Sequence, residues 1–267
     1  MSFVVFADGT ANLPASCQEG VTMLPCSYFV EGVEQEYLGD VDNFDGHAYY
    51  QQLASGCKIT TSLLNTGLFL SQFRPVLEGG QDLVYVAMAS GISGTYQAAL
   101  LAKQELEEEF PDRCVCIIDS KGCGFGNGML VLRAAELSRQ GLSAREAGQI
   151  LEEEVPHICQ YFTVNDLNFL KRSGRVSGAT AAIGTVLNLK PVLRIKGEKL
   201  DAFAKVRGMK LAESKMIDAL HQDRAERFRD VPESRLLIET AGTLENEALA
   251  ESWRQQVQAE FPFAKVS

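Results

Sequence analysis

At 267 residues, 46% of them hydrophobic, the chain is long enough for one large or two ordinary domains with a core able to enclose a ligand. Its net charge of −10 argues against a general nucleic-acid binder, because a phosphate backbone is held mainly by Lys and Arg. The start MSFVVFADGT lacks a basic n-region, Asp8 and Gly9 interrupt its apolar run, and no stretch reaches the roughly 18 apolar residues of a membrane span, so a cytoplasmic protein without stable membrane insertion is expected.

Three segments repeat one grammar of apolar strand, small polar loop and helix. FVVFAD leads to Gly9-Thr10-Ala11-Asn12-Leu13-Pro14, DLVYVAMA leads to Ser90-Gly91-Ile92-Ser93-Gly94-Thr95, and VCIIDS leads to KGCGFGNGMLVLRAAELSRQ. Strands alternating with helices predict a mostly parallel, doubly wound α/β sheet. The polar loops then gather at the carboxyl edge of the sheet, where such folds bind ligands. Between the first two segments, MLPCSYFVEGVEQEYLGD reads as a strand pair around Glu31-Gly32, followed by an amphipathic helix near NFDGHAYYQQLASG. Ser143 and Glu146 form a capping box for a helix to about Glu154, and Pro156 ends it. The domain boundary is placed there, giving an N-terminal domain over 1–155 and a C-terminal domain over 156–267.

The second half changes character. HICQYFTVNDLNFLKRSGRV predicts a strand and a short helix, ATAAIGTVLNL a helix of small residues, and VLRIKGEKLDAFAKV a hairpin turning at Lys196-Gly197-Glu198. A helix from about Met209 to Phe228, the strand RLLIETAG and a helix from about Leu244 to Phe261 complete an α+β domain with an antiparallel sheet. A strand begins at FAKVS, and the last strand of this domain is expected beyond Ser267.

The chemistry-bearing residues are few. The seven cysteines, at 17, 26, 57, 114, 116, 123 and 159, lack C-x-x-C spacing and read as small hydrophobes in a reducing compartment. Cys114 and Cys116 share a strand face, but no His lies near them in sequence, which argues against zinc. His47, His157 and His221 all lie outside the polar loops, as surface or interface residues rather than general bases. There is no H-E-x-x-H, G-x-x-x-x-G-K-[ST] or G-x-S-x-G. Gly122, Gly124, Gly126 and Gly128 depart from G-x-G-x-x-G spacing, so tight strand-to-helix packing explains them better than a dinucleotide. Ser93 and Thr95 at a helix N-terminus suit a small anion, or one of them simply caps the helix. The cluster Thr60-Thr61-Ser62, followed by Asn65 and Thr66, favours the first reading, since two hydroxyl clusters could converge on one carboxylate. From Lys171 to Lys210 ten Lys and Arg face only Glu198 and Asp201, a local net of +8 that leaves −18 on the rest. Within it, Lys171-Arg172-Ser173-Gly174-Arg175 forms a compact basic turn suited to phosphate or an acidic partner.

In order along the chain, ADGTANLP, Thr61-Ser62, ASGISGTYQAA, DSKGCGFGNG, DLNFLKRSGRV, LNLKPVL and AKVRGMKLA resemble the motifs of the DegV family of fatty-acid-binding proteins, over roughly residues 4–212. The resemblance implies a long-chain fatty acid held between two domains, with no cofactor and no catalytic residues of the chain's own. It implies a carboxylate bound by the T-S and S-G-T-Y motifs, here Thr61, Ser62, Ser93, Gly94 and Thr95. A separate fatty acid kinase catalytic subunit, contacted by Arg172 and Arg175, would phosphorylate the bound acid to an acyl phosphate for phospholipid metabolism. Three departures stand out: Leu64 replaces the family's Pro and Asn65 its hydroxyl, Gly124 replaces a Ser, and the family's His-containing C-terminal segment is not within the sequence. Two competing classes are an enzyme holding a phosphorylated metabolite at the same loops and a nucleic-acid-binding regulator using the basic segment.

Overall fold

The computed structural model describes residues 2–164, 174–175, 189–196, 199–238, 240 and 247–266. The chain divides into one unit of Met1–Ile158 with Ile195–Lys199 and a second of Cys159–Arg194 with Leu200–Ser267. In chain order the first contains β1 (Phe3–Asp8), β2 (Val21–Leu24), β3 (Cys26–Val30), β4 (Val33–Tyr37), α1 (Gly46–Ala54), β5 (Ile59–Thr61), α2 (Thr66–Glu78), β6 (Asp82–Ala87), α3 (Thr95–Glu109), β7 (Val115–Asp119), α4 (Phe125–Arg139) and α5 (Ala144–Glu154). From Cys159 onward follow β8 (Tyr161–Thr163), β9 (Leu189–Lys196), β10 (Lys199–Arg207), α6 (Met209–Glu226), β11 (Leu237–Ile238), α7 (Glu247–Glu260) and β12 (Lys265–Val266).

The main sheet has the order β2-β1-β6-β7, and every pairing in it is parallel. Its strands are nearly all apolar because both faces are covered. Alternation along the strands sorts their side chains into two layers. Phe3, Val5, Ala7, Val84, Val86 and Ile118 pack with α4 and α5, whereas Phe6, Leu83, Tyr85, Ala87, Val115 and Ile117 pack with α2 and α3. This is the doubly wound architecture that the strand-loop-helix repeats predict. The capping box forms: Ser143 Oγ accepts from the Glu146 amide at 3.3 Å and Glu146 Oε2 accepts from the Ser143 amide at 2.9 Å.

A smaller antiparallel sheet, β4-β3-β5, follows the first two strands. Val30 pairs with Val33 across the Glu31-Gly32 turn, whose two residues both have positive φ, 49° and 86°, as a tight hairpin turn requires. The stretch MLPCSYFV, which reads as one strand, is two. Leu24 ends β2 in the parallel sheet and Cys26 begins β3 in the antiparallel one, separated by Pro25, which has no N–H to give to a ladder.

In the second unit, β8 and β9 pair antiparallel and the sheet order is β10-β9-β8. Val192 packs with Ala212 and Met216 of α6, and Phe203 of β10 joins them. Strands β11 and β12 pair parallel, with Val257, Phe261, Ala264 and Val266 as a small core beside them. The helix expected over ATAAIGTVLNL, except for Leu189, which begins β9, and the turn at Gly197-Glu198 lie outside the described residues. Among the described residues no helix is long and apolar enough to cross a membrane.

Candidate functional site

The order β2-β1-β6-β7 contains a switch point. The chain leaves β1 toward β2 on one side and leaves β6 toward β7 on the other, the point at the carboxyl edge where doubly wound sheets bind their ligands. Three polar loops follow the strands at this edge: residues 9–20 after β1, 88–94 after β6 and 120–124 after β7.

The loop after β6 ends in a hydroxyl pair. Ser93 Oγ donates to Thr95 Oγ1 at 3.0 Å and accepts from the Thr95 amide at 3.2 Å. Thr95, only 4% exposed, also accepts from the Leu64 amide at 3.2 Å. That bond joins the second hydroxyl cluster to the first. Thr61 ends β5 opposite Tyr28, the Ser62 amide donates to Ser27 O at 3.2 Å, and Leu63 lies over Gly94, where an added Cβ would be 3.2 Å from Leu63 Cδ2. Thr61 is three residues from Leu64, within roughly 10 Å of chain. Thr61, Ser62 and Ser93 remain solvent-accessible, and Thr95 is the buried support beneath them.

Hydroxyl protons rotate, so the Ser93–Thr95 pair can run either way. With Thr95 donating to Ser93 Oγ, the Ser93 proton is able to turn to a ligand oxygen, at the positive end of the dipole of α3, a helix of 15 residues. Such an arrangement is chemically able to take an anion without a cation. Asn65 and Thr66, read with the hydroxyl cluster, do other work. Asn65 Oδ1 caps α2 by accepting from the Leu68 amide at 3.0 Å, and Thr66 donates to Ala98 O of α3 at 3.3 Å, fastening the two helices together.

The ends of β1 and β7 each supply a carboxylate that the sequence patterns do not mark as a site residue. Asp8 is fully buried. It accepts from the Thr10 amide at 2.8 Å, from the Thr10 hydroxyl, and from the Tyr85 hydroxyl. Burial and then the Asp8 charge hold the Tyr85 phenol well above its usual range, and the same two causes push the Cys26 thiol up to about 12. Asn127 of α4, also fully buried, donates to Thr10 Oγ1 at 3.4 Å, so one polar chain crosses the sheet edge from Tyr85 to α4. At β7, Asp119 accepts from the amides of Ser90 and Lys121, both at 3.1 Å, and from Lys121 Nζ at 2.8 Å. Burial raises its pKa, but the hydrogen bonds from Lys121 and Ser90 outweigh that and leave it below the usual carboxylate value. The sequence signal for both was available: of the three strands that lead into the polar loops, two end in Asp immediately before the loop.

The glycines after β7 serve packing and backbone shape. A Cβ on Gly128 would stand 2.7 Å from Ala11 O, so α4 lies directly on the turn after β1. Gly124 has φ 55° and ψ −131°, a conformation that only glycine adopts readily. In the second unit Arg175 is exposed. Arg172 and the rest of the turn Lys171–Ser173 lie outside the described residues.

The model of the family described as "Uncharacterised protein, DegV family" matches residues 2–266. A DegV domain-containing protein of Clostridium perfringens is 34% identical over 257 residues, covering 95% of this chain and 87% of that protein. A structure reporting fatty acid binding by a DegV family protein from Thermus thermophilus matches with a TM-score of 0.79 and 31% identity, over 100% of this chain and 91% of that one. DegV of Bacillus subtilis, described as a fatty acid binding protein, matches with a TM-score of 0.79 and 26% identity, over 100% and 91% of the two chains. The ordered motifs, the doubly wound sheet and a family match running almost the whole length agree, and the chain belongs to the DegV family.

Proposed function

We propose that this protein binds a long-chain fatty acid through its carboxylate and presents it to a separate kinase subunit. The observation that carries the reading is the Ser93–Thr95 pair at the N-terminus of α3, tied through Leu64 to the segment bearing Thr61 and Ser62. Fatty acid binding by the Thermus thermophilus protein, 31% identical over the whole chain, supports an acyl ligand for that pair. Thr61, Ser62 and Ser93 donate hydroxyl protons to the carboxylate, the backbone at Gly94 allows close approach, and Thr95 orients Ser93. Phosphorylation then requires a carboxylate oxygen to attack the terminal phosphorus of a nucleoside triphosphate, with the bond to the diphosphate breaking. The sequence holds no Walker-type lysine loop for that donor, so the phosphate comes with the partner, and Arg172 and Arg175 of the basic segment meet that partner or the new acyl phosphate through paired hydrogen bonds.

Titration with oleate and palmitate tests the binding step, and a coupled assay with a fatty acid kinase catalytic subunit and ATP tests the second. Saturable binding followed by acyl phosphate formation only when both proteins are present is expected. Turnover of ATP by the chain alone would favour an enzyme of its own, acting on a phosphorylated metabolite.

A further inference from the structure

The loop that carries Ser93 is held both by bonds of its own and by bonds from the loop after β7. The Ala89 carbonyl accepts from the amides of Ile92, at 2.9 Å, and Ser93, at 3.2 Å, which makes Ala89 the base on which Ser93 stands. Ala89 and Ser90 are in turn held from the neighbouring loop. The Ala89 amide donates to Gly122 O at 2.8 Å, the Ser90 amide donates to Asp119 Oδ1 at 3.1 Å, and the Ser120 amide returns a bond to Ala87 O at 3.1 Å. Asp119 is suited to this by position. Strand alternation turns it to the same side as Val115 and Ile117, the side on which α3 packs, and its side chain is only 9% exposed. Lys121 adopts a left-handed backbone, φ 51°, uncommon for a residue with a side chain, so that its amide and its ammonium both converge on the one carboxylate. That ammonium also cancels the Asp119 charge, which would otherwise repel an anion bound at the adjacent loop.

We propose that Asp119, with Lys121 as its counter-charge, is a positioning residue of the carboxylate site, an inference that rests on the fatty-acid reading above. Its carboxylate sets where the Ala89–Ser93 loop stands and therefore where the Ser93 hydroxyl meets the ligand, without touching the ligand. The role is one of geometry, so a neutral acceptor of the same shape should fulfil it. Asp119→Asn keeps an oxygen for the Ser90 and Lys121 amides, whereas Asp119→Ala keeps none.

Palmitate and its methyl ester separate this role from general stability, because only the acid engages the carboxylate site fully. The test measures both affinities for wild type, Asp119→Asn and Asp119→Ala at constant pH. Wild type should prefer the acid at least about tenfold, as expected for a charge-assisted hydrogen bond. Asp119→Ala should lose that preference while its affinity for the ester stays within about twofold, and Asp119→Asn should keep the preference. Equal weakening of both ligands in Asp119→Ala, or an undiminished preference, overturns the positioning role while leaving fatty acid binding intact. Wild type that binds neither ligand overturns the fatty-acid reading and this proposal with it. Amide exchange of ligand-free wild type gives a second reading that needs no variant: the Ser90 amide should be protected, and exchange at the rate of an unstructured amide overturns the proposal.

Discussion

Under the proposed function Ser93, an accessible hydroxyl, and Thr95, a buried one, divide the task of holding the carboxylate, and their variants should separate it. Ser93→Ala removes a donor to a charged group and should weaken palmitate binding by about 1.5–3 kcal/mol, tenfold or more, with the fold retained. Titration calorimetry beside a melting curve checks this; unchanged affinity with a lower melting temperature would make Ser93 a helix cap only. Thr61→Ala should act in the same direction, relieved in part by Ser62. Thr95→Val keeps the side-chain volume but leaves the Leu64 amide without its acceptor, so urea unfolding should show a loss of about 1–3 kcal/mol. Tyr85 and Cys26 make a different claim, about pH. Both are raised in the folded protein from reference values of 10.0 and 9.0, by burial first and the Asp8 charge second. The unfolded chain therefore loses these protons at lower pH than the folded one, and stability should fall as pH rises from about 9 toward 12. Tyr85→Phe should flatten the upper part of that decline in a pH series of unfolding curves.

At the scale of elements, two glycines with different surroundings should respond oppositely to the same change. Gly128→Ala drives a Cβ to 2.7 Å from Ala11 O, forcing α4 away from the turn after β1, and should cost about 1–3 kcal/mol by thermal or urea denaturation. Gly46 opens α1, and the nearest atom to an added Cβ is Phe44 Cδ1 at 3.8 Å, so Gly46→Ala should be neutral or stabilising by up to about 1 kcal/mol. What was legible in the sequence follows the same local-versus-distant line. The Ser143–Glu146 capping box and the Glu31-Gly32 turn were readable because all their partners lie within a few residues. The division at Pro25 was harder, because the two halves of one apolar run join different sheets and only tertiary pairing separates them. Asn65 and Thr66, which follow the hydroxyl cluster in sequence, were harder to place because composition does not show that one caps α2 and the other reaches Ala98 on α3. The Asp8–Tyr85 bond spans 77 residues and the Asp119–Ser90 bond 29, so neither is visible as a spacing.

For the whole molecule the account is a division of labour between a chain that holds an acyl carboxylate and a partner that brings the phosphate. In the proposed function the basic segment around Arg172 and Arg175 serves the second half of that division. Arg172→Ala and Arg175→Ala should retain fatty acid affinity and lose kinase-dependent phosphorylation, more severely at high salt because electrostatic steering is screened; unchanged coupled rates would reduce the segment to a solvated surface. The central claim, however, is the ligand itself. Burial gains roughly 0.8 kcal/mol per CH₂, so a sixteen-carbon chain offers more than about 10 kcal/mol before the costs of binding, enough to survive purification. Native mass spectrometry of the freshly purified protein, with organic extraction to identify what is released, is the most direct measurement. A mass increment matching one long-chain fatty acid per chain, displaced by added oleate, is expected. Protein that carries no acyl species and takes up neither oleate nor palmitate would contradict it.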